Sequence, residues 1–130
     1  MKRTYQGACH CGAVKFEVDA DIDHVRVCDC SICSKRGALN FRVPARDLRF
    51  ITPLSALSLY QWGTFTARDY FCPTCGILPF RKPREATERE RAEGAGPDDE
   101  TWAVNVRCLA GIDAAALPIR RVHGSRLPLP

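Results

Sequence analysis

Three thiols fall within six residues at Cys28-Asp29-Cys30-Ser31-Ile32-Cys33. In extended backbone, side chains two apart point the same way, so Cys28 and Cys30 can face one point. The two-residue gap to Cys33 suits a tight turn that brings a third sulfur there. Three converging thiols are one too many for a disulfide and one too few for a closed tetrahedral zinc site. Structural zinc takes four protein ligands, whereas catalytic zinc keeps one position for water or substrate. Two further pairs flank this group, Cys9-x-Cys11 and Cys72-x-x-Cys75. Together they offer the four thiols of a closed site, which would tie the first strand to the one ending at Phe71. Closing it would contribute folding energy on the order of 10 kcal/mol. Gly12 and Gly76 follow the second cysteine of each pair, where a turn that aims backbone N–H groups at sulfur calls for positive φ.

Spacing leaves three readings of the middle group open. It is an open catalytic zinc site, a second closed site with a distant fourth ligand, or a group that swaps partners with the other pairs. Candidates for a fourth ligand are Cys108, His10, His24, His123 and Asp29. Cys108 sits in the apolar run Val106-Arg107-Cys108-Leu109, the setting of a small buried hydrophobe.

The elements that must position these thiols are short. The chain has 130 residues, room for one domain (1–130) with a modest core. Strands are expected at Arg3–Ala8, Ala13–Val18, Val25–Val27, Ala38–Val43, Leu48–Ile51, Leu57–Trp62, Thr64–Phe71, Thr101–Val106 and Ile119–Val122. Val14, Phe16 and Val18 share one face of the second strand, and Trp102, Val104 and Val106 one face of the eighth. Ile77–Phe80 contains Pro79 and reads as an edge strand or irregular segment. Asp113 is placed to cap a short helical turn over Ala114–Leu117. Many short strands with turn signals between them indicate a mainly β fold. Residues 84–100 turn to Glu, Arg, Gly, Pro and Asp, the composition of a mobile polar insertion in which Glu85 and Arg89 can support a turn or two of helix.

Composition narrows the partners. Formal charge is +4, with basic residues scattered among acids rather than gathered into a nucleic-acid stripe. No apolar run approaches the roughly 20 residues of a membrane helix. The N-terminus runs straight into a cysteine motif without an apolar leader, so the expected location is the cytoplasm, where eight cysteines argue for metal rather than disulfides.

Gly-x-Cys-His-Cys-Gly-Ala-Val-x-Phe at Gly7–Phe16, Cys-x-Cys-Ser-x-Cys at Cys28–Cys33, Tyr-Phe-Cys-Pro-x-Cys-Gly at Tyr70–Gly76 and Val-Asn-Val-Arg-Cys-Leu-x-Gly-Ile-Asp at Val104–Asp113 occur in that order. This pattern resembles the glutathione-dependent formaldehyde-activating (Gfa) and centromere protein V domain family. The resemblance implies a single-domain, zinc-containing β fold of short antiparallel strands with Cys-rich knuckles, similar to methionine sulfoxide reductase B. It implies two zinc ions, a structural one on Cys9, Cys11, Cys72 and Cys75 and a catalytic one on Cys28, Cys30 and Cys33. The implied activity is that of a carbon–sulfur lyase, joining a glutathione-like thiol to a small aldehyde such as formaldehyde. The chain departs from the pattern at Asp29, where the family commonly has His, and in its tail, His123-Gly124-Ser125-Arg126.

Under that reading Lys35 and Arg36, the cations nearest the middle group in sequence, balance the negative charge that a bound thiolate adds. Asp29 is either the base that takes the thiol proton or a carboxylate pointing to solvent. A rival reading is a non-catalytic two-zinc module for a protein or nucleic-acid partner. A third is a reductase with Cys108 as nucleophile, Arg107 favouring its thiolate.

Overall fold

The computed structural model describes residues 1–129. In chain order the strands and helices are β1 (Arg3–Ala8), β2 (Lys15–Ala20), β3 (Val25–Cys28), α1 (Ser31–Arg36), β4 (Asn40–Pro44), β5 (Leu48–Phe50) and β6 (Ser58–Tyr60). They continue as β7 (Arg68–Phe71), β8 (Phe80–Lys82), α2 (Glu88–Ala92), β9 (Thr101–Asn105) and β10 (Ile119–Val122). The chain is mainly β, as its punctuated, alternating sequence leads one to expect.

Among the described residues the strands form two sheets. One is three-stranded, in the order β1-β2-β5; the other is seven-stranded, in the order β10-β3-β4-β9-β8-β7-β6. Neighbours run antiparallel except β10, which lies parallel to β3 with Val122 beside Cys28. Alternation sorts the side chains by face. Phe41 pairs with Val104, Val43 with Trp102 and Phe80 with Val104, and all five belong to the core. Phe16 of the small sheet meets Phe80 edge-on at 5.3 Å, and Phe50 lies 4.9 Å from Phe80 and 5.0 Å from Trp102. These rings weld the two sheets together, each pair adding about 0.5–1.5 kcal/mol beyond its buried area. Gly7 makes room for this packing: it pairs with Phe16, and a Cβ on it would fall 2.3 Å from that ring.

The other face of the large sheet is polar. Arg26 stands opposite Asn40, Arg42 opposite Ala103 and Ala103 opposite Arg81.

Four local expectations shift. The strand expected over Thr64–Phe71 begins only at Arg68, because Gly63 and Phe65 both take positive φ and turn the chain. Of the two readings of Ile77–Phe80, the irregular segment holds for residues 77–79 and the edge strand does not: β8 starts after Pro79 and runs between β7 and β9, while the Pro79 carbonyl accepts the Asn105 N–H at 2.8 Å. The tight turn expected at Cys30–Cys33 is the start of α1, closed by Gly37 at φ 70°. Parallel pairing of β10 with β3 adds an exception to the antiparallel pattern.

In residues 84–100, α2 is opened by a reciprocal cap between Thr87 and Glu90. Arg84 holds Glu90 with two N–H donors, at 2.5 and 2.9 Å, and Arg91 meets Asp99. Among the described residues no helix is long and apolar enough to cross a membrane.

Candidate functional site

Cys9 and Cys11 sit in the turn between β1 and β2, and Cys72 and Cys75 in the loop that leaves β7. The four sulfurs lie within 4.8 Å of one another. Cys9 to Cys11 and Cys11 to Cys72 are each 3.6 Å apart. That is far beyond a disulfide bond, and all eight cysteines are free. It is close to the edge of about 3.8 Å that follows from a tetrahedron with about 2.3 Å Zn–S bonds. The Val14 N–H reaches Cys9 Sγ at 3.3 Å, and the Cys75 N–H reaches Cys72 Sγ at 3.5 Å. Gly12 and Gly76 have φ of 82° and 79°, as those turns require. The N–H of Ile77 leads the effects that bring Cys75 down to about 6, toward the thiolate a metal needs. Donor type and spacing fit a metal ion.

The second group is local. Cys28 ends β3, Cys30 caps α1 and Cys33 lies in its first turn. Their sulfurs also fall within 4.8 Å of one another, and among the described residues no fourth Cys, His, Asp or Glu atom joins them. Burial, then the Cys30 and Cys28 thiols, pushes Cys33 up to about 12. Burial opposes ionisation of Cys30 as well, yet the N–H and thiol of Cys33, the Cys28 thiol and the Ile32 N–H together bring it down. A set in which one ionised thiol suppresses the next is one that a cation at its centre would convert to thiolates.

Each candidate fourth ligand is accounted for elsewhere. Cys108 lies near the other cluster, pushed up to about 11 by burial and by Cys9 and Cys75, which also removes the thiolate that a Cys108 nucleophile requires. His24 rests on Phe41 at 5.0 Å and meets Asp23 at 2.6 Å, and His10 is exposed. His123 Nδ1 lies 3.1 Å from Asp29 Oδ2, while the Ser125 N–H donates to Asp29 Oδ1 at 2.9 Å. Ser125 and then His123 hold the Asp29 carboxyl down at about 2, too acidic for a useful base. Asp29 stays exposed, as the solvent-facing reading has it, and its contacts to His123 and Ser125 fasten the tail. Fastened there, Gly124 sits so close that a Cβ would lie 2.4 Å from Cys28 Sγ.

The three thiols open on a cavity of about 390 Å³ bounded by Arg26, Asn40, Arg42 and Arg81 of the sheet. Arg84, Glu90 and Gly96 wall one side, and Gly124, Leu127 and Pro128 another. Lys35 and Arg36 do not line it. Lys35 is exposed on α1, and Arg36 donates to buried Asp69 at 3.1 Å and faces a second hollow with Tyr60, Phe71 and Arg107. The cations at the thiols come instead from β3, β4 and β8. Their alternation with core residues, as in Asn40-Phe41-Arg42-Val43, was the available signal.

A protein from Rhodobacter sphaeroides of known crystal structure is 36% identical over 88% of this chain and 99% of its own, with a TM-score of 0.69. The family model described as glutathione-dependent formaldehyde-activating enzyme matches residues 4–102. That span starts in β1, ends in β9 and takes in all seven clustered cysteines, so the chain belongs to the glutathione-dependent formaldehyde-activating enzyme family.

Proposed function

We propose that this chain joins a glutathione-like thiol to a small aldehyde such as formaldehyde, a carbon–sulfur lyase-type reaction at Cys28, Cys30 and Cys33. One observation carries this reading: three sulfurs within 4.8 Å, without a fourth ligand among the described residues, open on a cavity large enough for a small molecule. Cys28, Cys30 and Cys33 would hold one zinc and Cys9, Cys11, Cys72 and Cys75 another. When bound, the first would supply Lewis acidity that favours the ionised form of a thiol.

The chain's residues do the rest. In the net reaction the S–H bond breaks and the sulfur forms a bond to the carbonyl carbon. The C=O π pair moves to oxygen, which takes up one proton, leaving a hydroxymethyl thioether. Arg26 and Arg42, which lack acidic partners among the described residues, give the cavity a positive field that draws in an anionic thiol. Residues of the segment 84–97 and the tail held by Asp29 wall the cavity beside the sulfurs.

The test uses 13C-formaldehyde and glutathione, followed by NMR with zinc-replete protein. The S-hydroxymethyl signal is expected to grow faster than in buffer and to return to the buffer rate with Cys30→Ser. Wild-type protein that leaves the buffer rate unchanged overturns the proposal.

A further inference from the structure

Four arginines face the cavity, but they are not equivalent. Arg81 donates to Asp69 at 2.6 Å, and Asp69 is 1% exposed. Arg84 is neutralised by Glu90. Arg26 and Arg42 have neither a hydrogen bond nor an ion pair to any other side chain among the described residues. Neither is freely solvated: both line the cavity and are only partly exposed. Burial, then Arg26 and Arg81, brings Arg42 down to about 10. Partly desolvated charges without partners are costly to hold. A third unmet group lies between them, since Asn40 Oδ1 is buried without a partner. Asn40 pairs across with Arg26 and is two residues from Arg42 on the same face.

The register sets a distance. Arg26 is two residues from Cys28 on one strand face. Its pairing with Asn40 puts Arg42 level with position 24, four residues from Cys28, or about 13 Å along the strand at about 3.3 Å per residue. Arg42 is thus rooted four residues beyond Cys28, and its long side chain still feels the Cys28 thiol across the cavity. Both arginines feel the Cys28 thiol, and the buried, unmet Asn40 acceptor between them is what compensation of charge at the thiols leaves unexplained. An anionic group held between the two guanidiniums would lie several bonds from a sulfur held at Cys28, Cys30 and Cys33. The unmet Asn40 acceptor asks for an N–H donor on the same molecule.

We propose that Arg26 and Arg42, with Asn40 between them, are the specificity-determining subsite that takes the remote carboxylate and an adjacent N–H of an amino-acid-derived thiol. The assignment of that carboxylate to the thiol rests on the thiol-addition reading above; the anion subsite itself does not. Arg42 should make a fork of two N–H donors to the carboxylate, a geometry that Lys reproduces only in charge.

The test is calorimetric, on the zinc-replete protein, with S-methylglutathione as probe, which keeps both carboxylates and the amides but has no free thiol. Arg42→Gln and Arg26→Gln should each weaken its binding at least tenfold, Arg42→Lys should recover part, and exposed Arg121→Gln should change nothing. Arg42→Gln should melt at or above the wild-type temperature, since it removes an unpaired charge. A fall in its melting temperature with unchanged probe affinity would make Arg42 structural and overturn the proposal, and Arg26→Gln gives the same reading independently. Glyoxylate binding that depends on Arg42, without binding of S-methylglutathione, would move the carboxylate to the carbonyl substrate and also overturn it. If S-methylglutathione binds through Arg42 while glutathione and 13C-formaldehyde give the S-hydroxymethyl product no faster than in buffer, the subsite stands and the thiol-addition reading fails.

Discussion

At Gly124 a single hydrogen atom separates the tail from Cys28. A methyl group there would meet Cys28 Sγ at 2.4 Å and Cys30 Cβ at 3.3 Å, so either the tail must lift or the sulfur must move. The Asp29 carboxylate, bonded to the Ser125 N–H and to His123, resists the lift. Displacement of the sulfur is the easier outcome, because χ1 of Cys28 has other staggered positions. Gly124→Ala should therefore release about one zinc per chain while the four-thiol site keeps its own. Metal analysis beside the melting temperature checks this: zinc should fall and the main transition should stay. Retention of both ions would show that the tail swings free in solution. Asp29 thus has a role that its position between two of the thiols hides, since its partners lie some 95 residues along the chain.

At the scale of elements, the segment 84–100 reads differently as sequence and as structure. It has no apolar face, yet Arg84 grips Glu90 and the capping box of α2 turns the loop against the cavity. The Arg84 side chain and then the Thr87 N–H hold the Glu90 carboxyl down at about 2. A carboxyl depressed on folding contributes stability that is present above its ordinary range, near pH 4.3, and lost as the pH falls toward 2. The Glu90 13Cδ resonance should accordingly stay flat from pH 6 to 4, and an ordinary glutamate midpoint would show that the pair does not form. Replacing Glu85–Asp99 with a short Gly/Ser linker should leave the melting temperature within a few degrees but weaken S-methylglutathione binding several-fold. A large fall in melting temperature would show instead that the segment supports the sheet. Most strands were legible because alternation of apolar and polar residues is strong at Val14–Val18 and Phe41–Val43. The grouping of the cysteines was legible because thiol number and spacing restrict the choices. The cavity arginines were not, because Arg26, Arg42 and Arg81 converge only through the strand order β3-β4-β9-β8, in which neighbours lie far apart in sequence. Lys35 and Arg36 were nearest in sequence, but the short α1 carries them away from the cavity.

For the whole molecule, the question is what keeps a three-stranded and a seven-stranded sheet together in a chain of 130 residues. The aromatic cluster around Phe80 does so, and so do the four thiols, two from the turn of the small sheet and two from the loop leaving β7 of the large one, beside a bridge from Gly7 of β1 to Leu109. A domain of this size has a net stability of about 5–15 kcal/mol. A closed four-thiolate zinc site contributes on the order of 10 kcal/mol or more. Loss of that ion should therefore consume most of the net stability, whereas the three-thiol group lies within one stretch of chain and joins no distant elements. Cys75→Ser and Cys33→Ser make the comparison, since each removes one partly buried thiol. Cys75→Ser should be unfolded or should melt tens of degrees lower. Cys33→Ser should stay folded, melt within a few degrees of the wild type and keep one zinc. Chelator treatment should follow the same order, with loss of thiol affinity before loss of fold. Equal melting temperatures for the two variants would show that the sheets stay joined without the four-thiol site.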